Sequence, residues 1–123
     1  APQAAPVAEV PKTEALPANA PRLRVLAGPL TGYEVDVTAP VTGGRDGRIC
    51  QLVYPADTKG VSRRHFTIRF DRAQGVFVLE DFSSSGTFLA ATGERLTQGR
   101  SYYLRSGDRF YLGEPKNMIE VRF

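Results

Sequence analysis

The fold of this chain is indicated most clearly by residues 61–70, which read VSRRHFTIRF. From Phe66 to Phe70, apolar residues alternate with polar ones. An alternation with a period of two is typical of a β-strand that buries one face. The polar cluster that precedes it, from Ser62 to His65, is therefore expected on a loop where the strand begins.

The same alternation recurs along the rest of the chain, at residues 23–27, 33–37, 76–80, 110–112 and 119–123. Clusters of Gly, Asp, Ser and Pro separate these runs at intervals of about 8–12 residues, which is the spacing of an antiparallel sandwich or barrel. No window shows the apolar stripe of an amphipathic helix. The pattern predicts an all-β fold, an antiparallel β-sandwich.

The length of 123 residues suits one domain, and a hydrophobic content of 41% is enough for a core. Residues 1–21 differ from the rest because five prolines interrupt an alanine-rich stretch. Such a segment buries too little surface to offset its chain entropy. We therefore predict a disordered linker over residues 1–21 and one domain over residues 22–123. No apolar run approaches the ~18 residues of a membrane span, so no membrane insertion of this segment is expected.

Cys50 and His65 are the only residues of their kinds in the chain. A lone cysteine makes no internal disulfide, and one cysteine with one histidine does not make a structural zinc site. Cys50 lies in the apolar run from Ile49 to Val53 and is expected to be buried. These features predict a cytoplasmic location, with no metal and no cofactor.

The positive charge is concentrated in one part of the chain. The formal net charge is +3, and residues 45–64 alone hold an excess of three basic side chains. A focused basic patch attracts anions. The excess is too small, and too little interleaved with aromatic residues, to indicate nucleic-acid binding.

Three polar clusters stand at the ends of the predicted strands. They are Gly44-Arg45, residues 62–65 and residues 83–87. Their hydroxyl, guanidinium and backbone N–H groups are the donors that hold a phosphate dianion. Ser62 and His65 also invite a hydrolase hypothesis, but no nucleophile elbow accompanies them, so the chain is not expected to be an enzyme.

The order of these motifs, together with the strand motif Gly107 to Gly113, resembles that of a forkhead-associated (FHA) domain over residues 22–123. The resemblance implies a β-sandwich of about eleven strands whose loops at one end bind phosphothreonine peptides. It therefore implies a phosphothreonine-dependent interaction module in Ser/Thr kinase signalling.

The resemblance also implies roles for particular residues. Arg45 matches the arginine that contacts the phosphate or the peptide backbone, Ser62 matches the serine that donates to the phosphate, and Arg63 follows where a second basic contact is common. Phosphopeptide binding is thus assigned to Arg45, Ser62, Arg63, Ser84, Ser85 and Gly86, with structural support from Gly44 and His65. Gly47-Arg48 is a second Gly-Arg pair that competes with Gly44-Arg45 for the same role.

Ser85 departs from the family pattern, which has asparagine before this glycine to hold the peptide main chain. A serine hydroxyl does not supply both an amide donor and a carbonyl acceptor, and one lost bond costs about tenfold in affinity. The alternative hypothesis is therefore a phosphate-independent scaffold or assembly domain that has lost part of the peptide grip.

Thr13 lies in the predicted linker and is followed by leucine three residues later, a position that FHA domains commonly read. Phosphorylated Thr13 is therefore a candidate intramolecular ligand, since a short tether gives a high effective concentration. The competing interpretation is an ordinary linker residue.

Overall fold

Ten β-strands form the framework of residues 20–123, the part of the chain that the computed structural model describes, and no helix occurs among them. The strands are β1 Arg22–Val25, β2 Glu34–Asp36, β3 Val41–Gly44, β4 Leu52–Val53, β5 Phe66–Asp71, β6 Val76–Asp81, β7 Thr87–Leu89, β8 Tyr102–Leu104, β9 Arg109–Leu112 and β10 Met118–Arg122.

The strands make two five-stranded sheets, with the orders β2-β1-β10-β9-β7 and β4-β3-β5-β6-β8. Every pairing is antiparallel except that of β3 with β4. The predicted all-β sandwich is confirmed. The ten strands of residues 20–123 are close to the number of about eleven that the family resemblance implies.

The core lies between the sheets and is built by the alternation that predicted the strands. Phe66 and Ile68 of β5 are fully buried, while Arg69 between Ile68 and Phe70 is exposed. The ring of Phe66 meets the ring of Phe110 on the other sheet edge to face, with centroids 5.3 Å apart. An aromatic pair in this geometry stabilises the fold beyond the area that it buries.

Cys50 is buried, as its apolar context predicts. The predicted linker lies outside the described residues except for Ala20 and Pro21, and Thr13 lies outside them as well. Among residues 20–123 no helix of the length and hydropathy of a membrane span is found.

Candidate functional site

Three loops meet at one end of the sandwich: residues 45–51 after β3, residues 54–65 before β5, and residues 82–86 after β6. Backbone hydrogen bonds join the first two loops, from the N–H of Arg45 to the carbonyl of Ser62 and from the N–H of Asp46 to that of Arg63, both 3.1 Å. Between the loops lies an open cleft of about 480 Å³, lined by Arg45, Asp46, Ile49, Ser62, Arg63, Arg64, Phe82 and Ser84.

Two hydroxyl groups stand side by side at this cleft. The Oγ atoms of Ser62 and Ser84 are 3.4 Å apart, and Ser62 Oγ accepts a hydrogen bond of 3.2 Å from the N–H of Ser84. This contact joins the second loop to the third. Because a hydroxyl both donates and accepts, the two serines can turn their protons toward an anion placed in the cleft.

Arg45 lines the cleft and also braces the second loop. Its Nε donates to the carbonyl of Val61, and its Nη1 donates to the carbonyl of Ala56 at 2.7 Å. Arg48, from the competing Gly-Arg pair, lies outside the cleft lining and is exposed. Of the two arginines, the structure therefore brings Arg45 to the cleft.

One carboxylate, that of Asp46, also lines the cleft. It accepts hydrogen bonds from the backbone N–H, Nε and Nη2 of Arg48, at 3.0, 3.1 and 3.2 Å. These hydrogen bonds lower the pKa of Asp46. Since Arg48 neutralises this carboxylate, the cleft keeps the positive charge of the three arginines that line it, Arg45, Arg63 and Arg64.

Two large apolar side chains, Ile49 and Phe82, also line the cleft. The guanidinium of Arg64 lies 4.0 Å from the ring centroid of Phe82, a cation–π contact. Phe82 and Ile49 are both large hydrophobic side chains that remain exposed. The lining therefore combines anion-binding groups with surfaces on which aliphatic parts of a peptide can pack.

His65 is fully buried beneath the cleft and joins two of its loops. Its Nδ1 accepts a 3.0 Å hydrogen bond from the N–H of Ser62, and its Nε2 lies 2.9 Å from the carbonyl of Gly86. A carbonyl only accepts, so Nε2 carries the proton and the ring is neutral. Neither ring nitrogen is left to act as a base toward the Ser62 hydroxyl.

Because His65 is held neutral, we predict that stability falls in mild acid. Burial lowers the pKa of His65 below its usual 6.5 in the folded state. The unfolded chain therefore takes up a proton first, and stability present above pH 6.5 declines as the pH falls toward the folded pKa. The melting temperature should drop between pH 7.5 and pH 5.5.

His65→Gln is the control for this prediction, because His65 is the only histidine in the chain. The variant is expected to melt lower at pH 7.5 and to show a flatter dependence on pH. An equal slope in both proteins would contradict the assignment.

The conformation of residues 82–86 is set by the buried carboxylate of Asp81. Its Oδ1 accepts from the Ser83 hydroxyl at 2.6 Å, the Ser83 N–H at 3.2 Å and the Thr87 hydroxyl at 2.7 Å. Ser83 Oγ in turn accepts from the N–H of Gly86 at 2.7 Å. Gly86 has φ +101°, a conformation that side chains disfavour, so the loop turns at this glycine.

Ser85 and Gly86, both predicted to bind the peptide, lie at the tip of this loop and outside the lining of the cleft. Ser85 is exposed and makes no hydrogen bond with any of residues 20–123. Gly86 is buried. Of the predicted binding residues, the structure thus brings Arg45, Ser62, Arg63 and Ser84 together.

Two residues of the connection between β7 and β8, residues 90–101, brace the same loop from its other side. Arg95 Nη2 donates to the carbonyl of Ser84 at 3.0 Å, and Gln98 Nε2 donates to the carbonyl of Ser83. Sequence reasoning missed both, because neither belongs to a strand pattern or a recognised motif. Within the part of the chain described, no group of side chains suited to a metal ion is found.

Comparisons with known proteins identify the family to which this fold belongs. The sequence model of the FHA domain family matches residues 41–113. The solution structure of an FHA domain from an Arabidopsis thaliana hypothetical protein is 30% identical, with a TM-score of 0.70 and 86% of each chain covered. No match was found among curated proteins.

Two further structures share the fold at lower identity. The N-terminal FHA domain of S. cerevisiae Rad53p, solved with a phosphothreonine peptide, is 20% identical with a TM-score of 0.63, over 83% of this chain and 90% of that one. The MEK1 FHA domain, solved with a phosphothreonine peptide of HOP1, is 23% identical with a TM-score of 0.66, over 84% and 95%. Since the family match spans more than half of the sequence and includes both Gly44-Arg45 and the loop of residues 82–86, the chain belongs to the FHA domain family.

Proposed function

We propose that this FHA domain binds phosphothreonine peptides in the cleft between its three loops. The observation that carries the proposal is the convergence of the Ser62 and Ser84 hydroxyls with Arg45 and Arg63 in one cleft. Two arginines and two hydroxyls provide charge-assisted hydrogen bonds, which are about twice as strong as neutral ones. A phosphorylated residue gains these bonds and an unphosphorylated threonine does not.

The backbone of residues 82–86 supports the same proposal. Carbonyl oxygens repel an anion, and three of them on this loop are already occupied by donors. Gln98 caps the Ser83 carbonyl, Arg95 caps that of Ser84, and His65 with the Gly113 N–H caps that of Gly86. The loop therefore presents mainly donors to a ligand, as an anion site requires.

The wider biological role belongs to the same proposal. Two related domains were solved with phosphothreonine peptides, which supports the proposal that the ligand is a partner phosphorylated by a Ser/Thr kinase. The lone buried thiol of Cys50 suits the reducing cytoplasm. We also propose that the folded domain begins at Arg22, the first residue of β1.

Calorimetric titration with a degenerate phosphothreonine peptide library, and with the same library unphosphorylated, tests the proposal. Only the phosphorylated library should bind, and Ser62→Ala should weaken binding by at least about tenfold, because a hydrogen bond to a charged group contributes about 1.5–3 kcal/mol. Ser101→Ala is the matched control, since this exposed serine makes no hydrogen bond within residues 20–123 and lies outside the cleft lining. It should bind like the wild type.

Equal binding of both libraries, or no binding of either, would overturn the proposal. The alternative of a phosphate-independent scaffold would then be favoured. Its structural support is Ser85, which stands where the family has asparagine and makes no hydrogen bond with any of residues 20–123.

A further inference from the structure

Arg95 is a basic residue next to the cleft that no FHA motif includes. Its side chain is exposed, and its Nη2 donates to the carbonyl of Ser84 at 3.0 Å. Its Nε lies over Gly86, since a Cβ atom added to that glycine would be 2.9 Å from it. Arg95 therefore lies against the tip of this loop.

The guanidinium of Arg95 has donors to spare. No carboxylate within residues 20–123 lies within 4.0 Å of it, whereas Arg48, Arg109 and Arg122 each have one. A guanidinium carries five N–H groups, and a single bond to Ser84 leaves most of them free. An exposed, preorganised guanidinium of this kind suits a carboxylate or a phosphate, which it can hold through two parallel bonds.

Arg95 lies close enough to the cleft to contact the proposed ligand, in addition to bracing the loop. Ser84 turns its hydroxyl to the cleft and its carbonyl to Arg95, so the phosphate site and the guanidinium lie on two sides of one residue. An extended peptide advances about 3.3 Å per residue. A side chain one or two residues from the phosphothreonine would therefore come level with Arg95.

We propose that Arg95 binds a second anionic group of the phosphopeptide, an acidic side chain or a second phosphate, within two residues of the phosphothreonine. This inference rests on the proposed function and narrows its substrate class. It also gives a physical reason why Ser85 is tolerated. With no asparagine at this position, Arg95 supplies donors to the peptide beside Ser85.

The test compares three sets of peptides in calorimetric titrations. The first carries one phosphothreonine with neutral neighbours, the second adds a glutamate at each of the two positions on either side in turn, and the third adds a second phosphothreonine there. In the wild type, the best-placed glutamate should tighten binding about fivefold, the upper range for an exposed ion pair. A second phosphate should tighten it at least as much.

Arg95→Gln should abolish this gain, because the positive charge is lost. Since Arg95 also caps the Ser84 carbonyl, the gain in each variant is measured relative to the affinity of that same variant for the peptide with neutral neighbours. Arg100→Gln is the matched control, because it removes the same charge from the same connection. The guanidinium of Arg100, unlike that of Arg95, faces an aromatic ring, and it lies 5.9 Å from the ring centroid of Tyr102. This variant should keep the gain, and Arg95→Lys should restore part of it.

The outcomes separate the two proposals. If the neutral phosphopeptide binds but neither added anion tightens binding, or the gain survives in Arg95→Gln, this inference is wrong while the proposed function stands. If Arg100→Gln loses the gain equally, a general charge effect replaces the specific contact. If no phosphopeptide binds, both proposals fail.

Discussion

Gly44→Ala is expected to destabilise this domain by about 3 kcal/mol and to remove phosphopeptide binding. A Cβ atom on Gly44 would lie 2.2 Å from the carbonyl oxygen of Arg63 and 2.9 Å from that of Ser62. Both are backbone atoms, which do not rotate away as a flexible side chain does. The second loop must therefore shift, which breaks its backbone bonds with Arg45 and Asp46.

Thermal unfolding followed by circular dichroism measures this effect, and a loss of about 3 kcal/mol corresponds to roughly 12–24 °C for a domain of this size. Gly47→Ala is the control on the same loop, because its added Cβ meets only Val53 Cγ1 at 3.7 Å. It should change stability by less than about 0.5 kcal/mol. A Gly44→Ala protein with unchanged melting temperature and affinity would show that the loops do not pack as described.

Asp81→Ala is the second change with a large expected effect, again about 3 kcal/mol of lost stability. Three buried donors, from Ser83 and Thr87, would lose their acceptor at once, and each buried unsatisfied group costs about 1–3 kcal/mol. Because Ser83 also holds the N–H of Gly86, the loop of residues 82–86 loses its shape as well. Urea unfolding and calorimetric titration would record both losses.

Asp81→Asn removes the negative charge of this side chain but keeps a hydrogen-bond acceptor. It keeps one carbonyl oxygen for the three donors, and Oδ2, the atom that it replaces, is buried without a partner within residues 20–123. This variant should recover only part of the stability, because it restores the acceptor but buries an amide NH2 group at a position that has no hydrogen-bond partner. Asp57→Ala, an exposed carboxylate with no hydrogen bond to any described residue, should behave as the wild type. If Asp81→Ala proves as stable as Asp57→Ala, the network does not hold the loop.

The strands that bury one face against the core could be predicted from their alternation, and β5 is the clearest case. Strand β3 could not, because its sequence ends in Gly43-Gly44 and reads as a turn. These glycines are required by packing: the Phe66 ring fills the Cβ position of one and the Arg63 backbone that of the other. Strands β7 and β8, of three residues each, are too short to show a period.

The part of the site that lies in short sequence motifs could be predicted, because the residues of such a motif stand close together in the sequence. Ser62 and His65 occur within four residues, and their relation to Ser84 follows from the family resemblance. Arg95 and Gln98 reach the site only because the connection from β7 to β8 passes from one sheet to the other beside residues 82–86. A contact made by such a crossing leaves no local pattern in the sequence.

The two hydrogen bonds of His65 have a consequence for the thermodynamics of recognition. The ring connects Ser62 with Gly86, so two of the three loops are already fixed in relation to each other before a ligand arrives. Such a receptor loses little conformational entropy on association, and more of the interaction enthalpy is retained as affinity. A buried side chain that lies outside the lining of the cleft thereby lowers the entropic cost of the proposed binding.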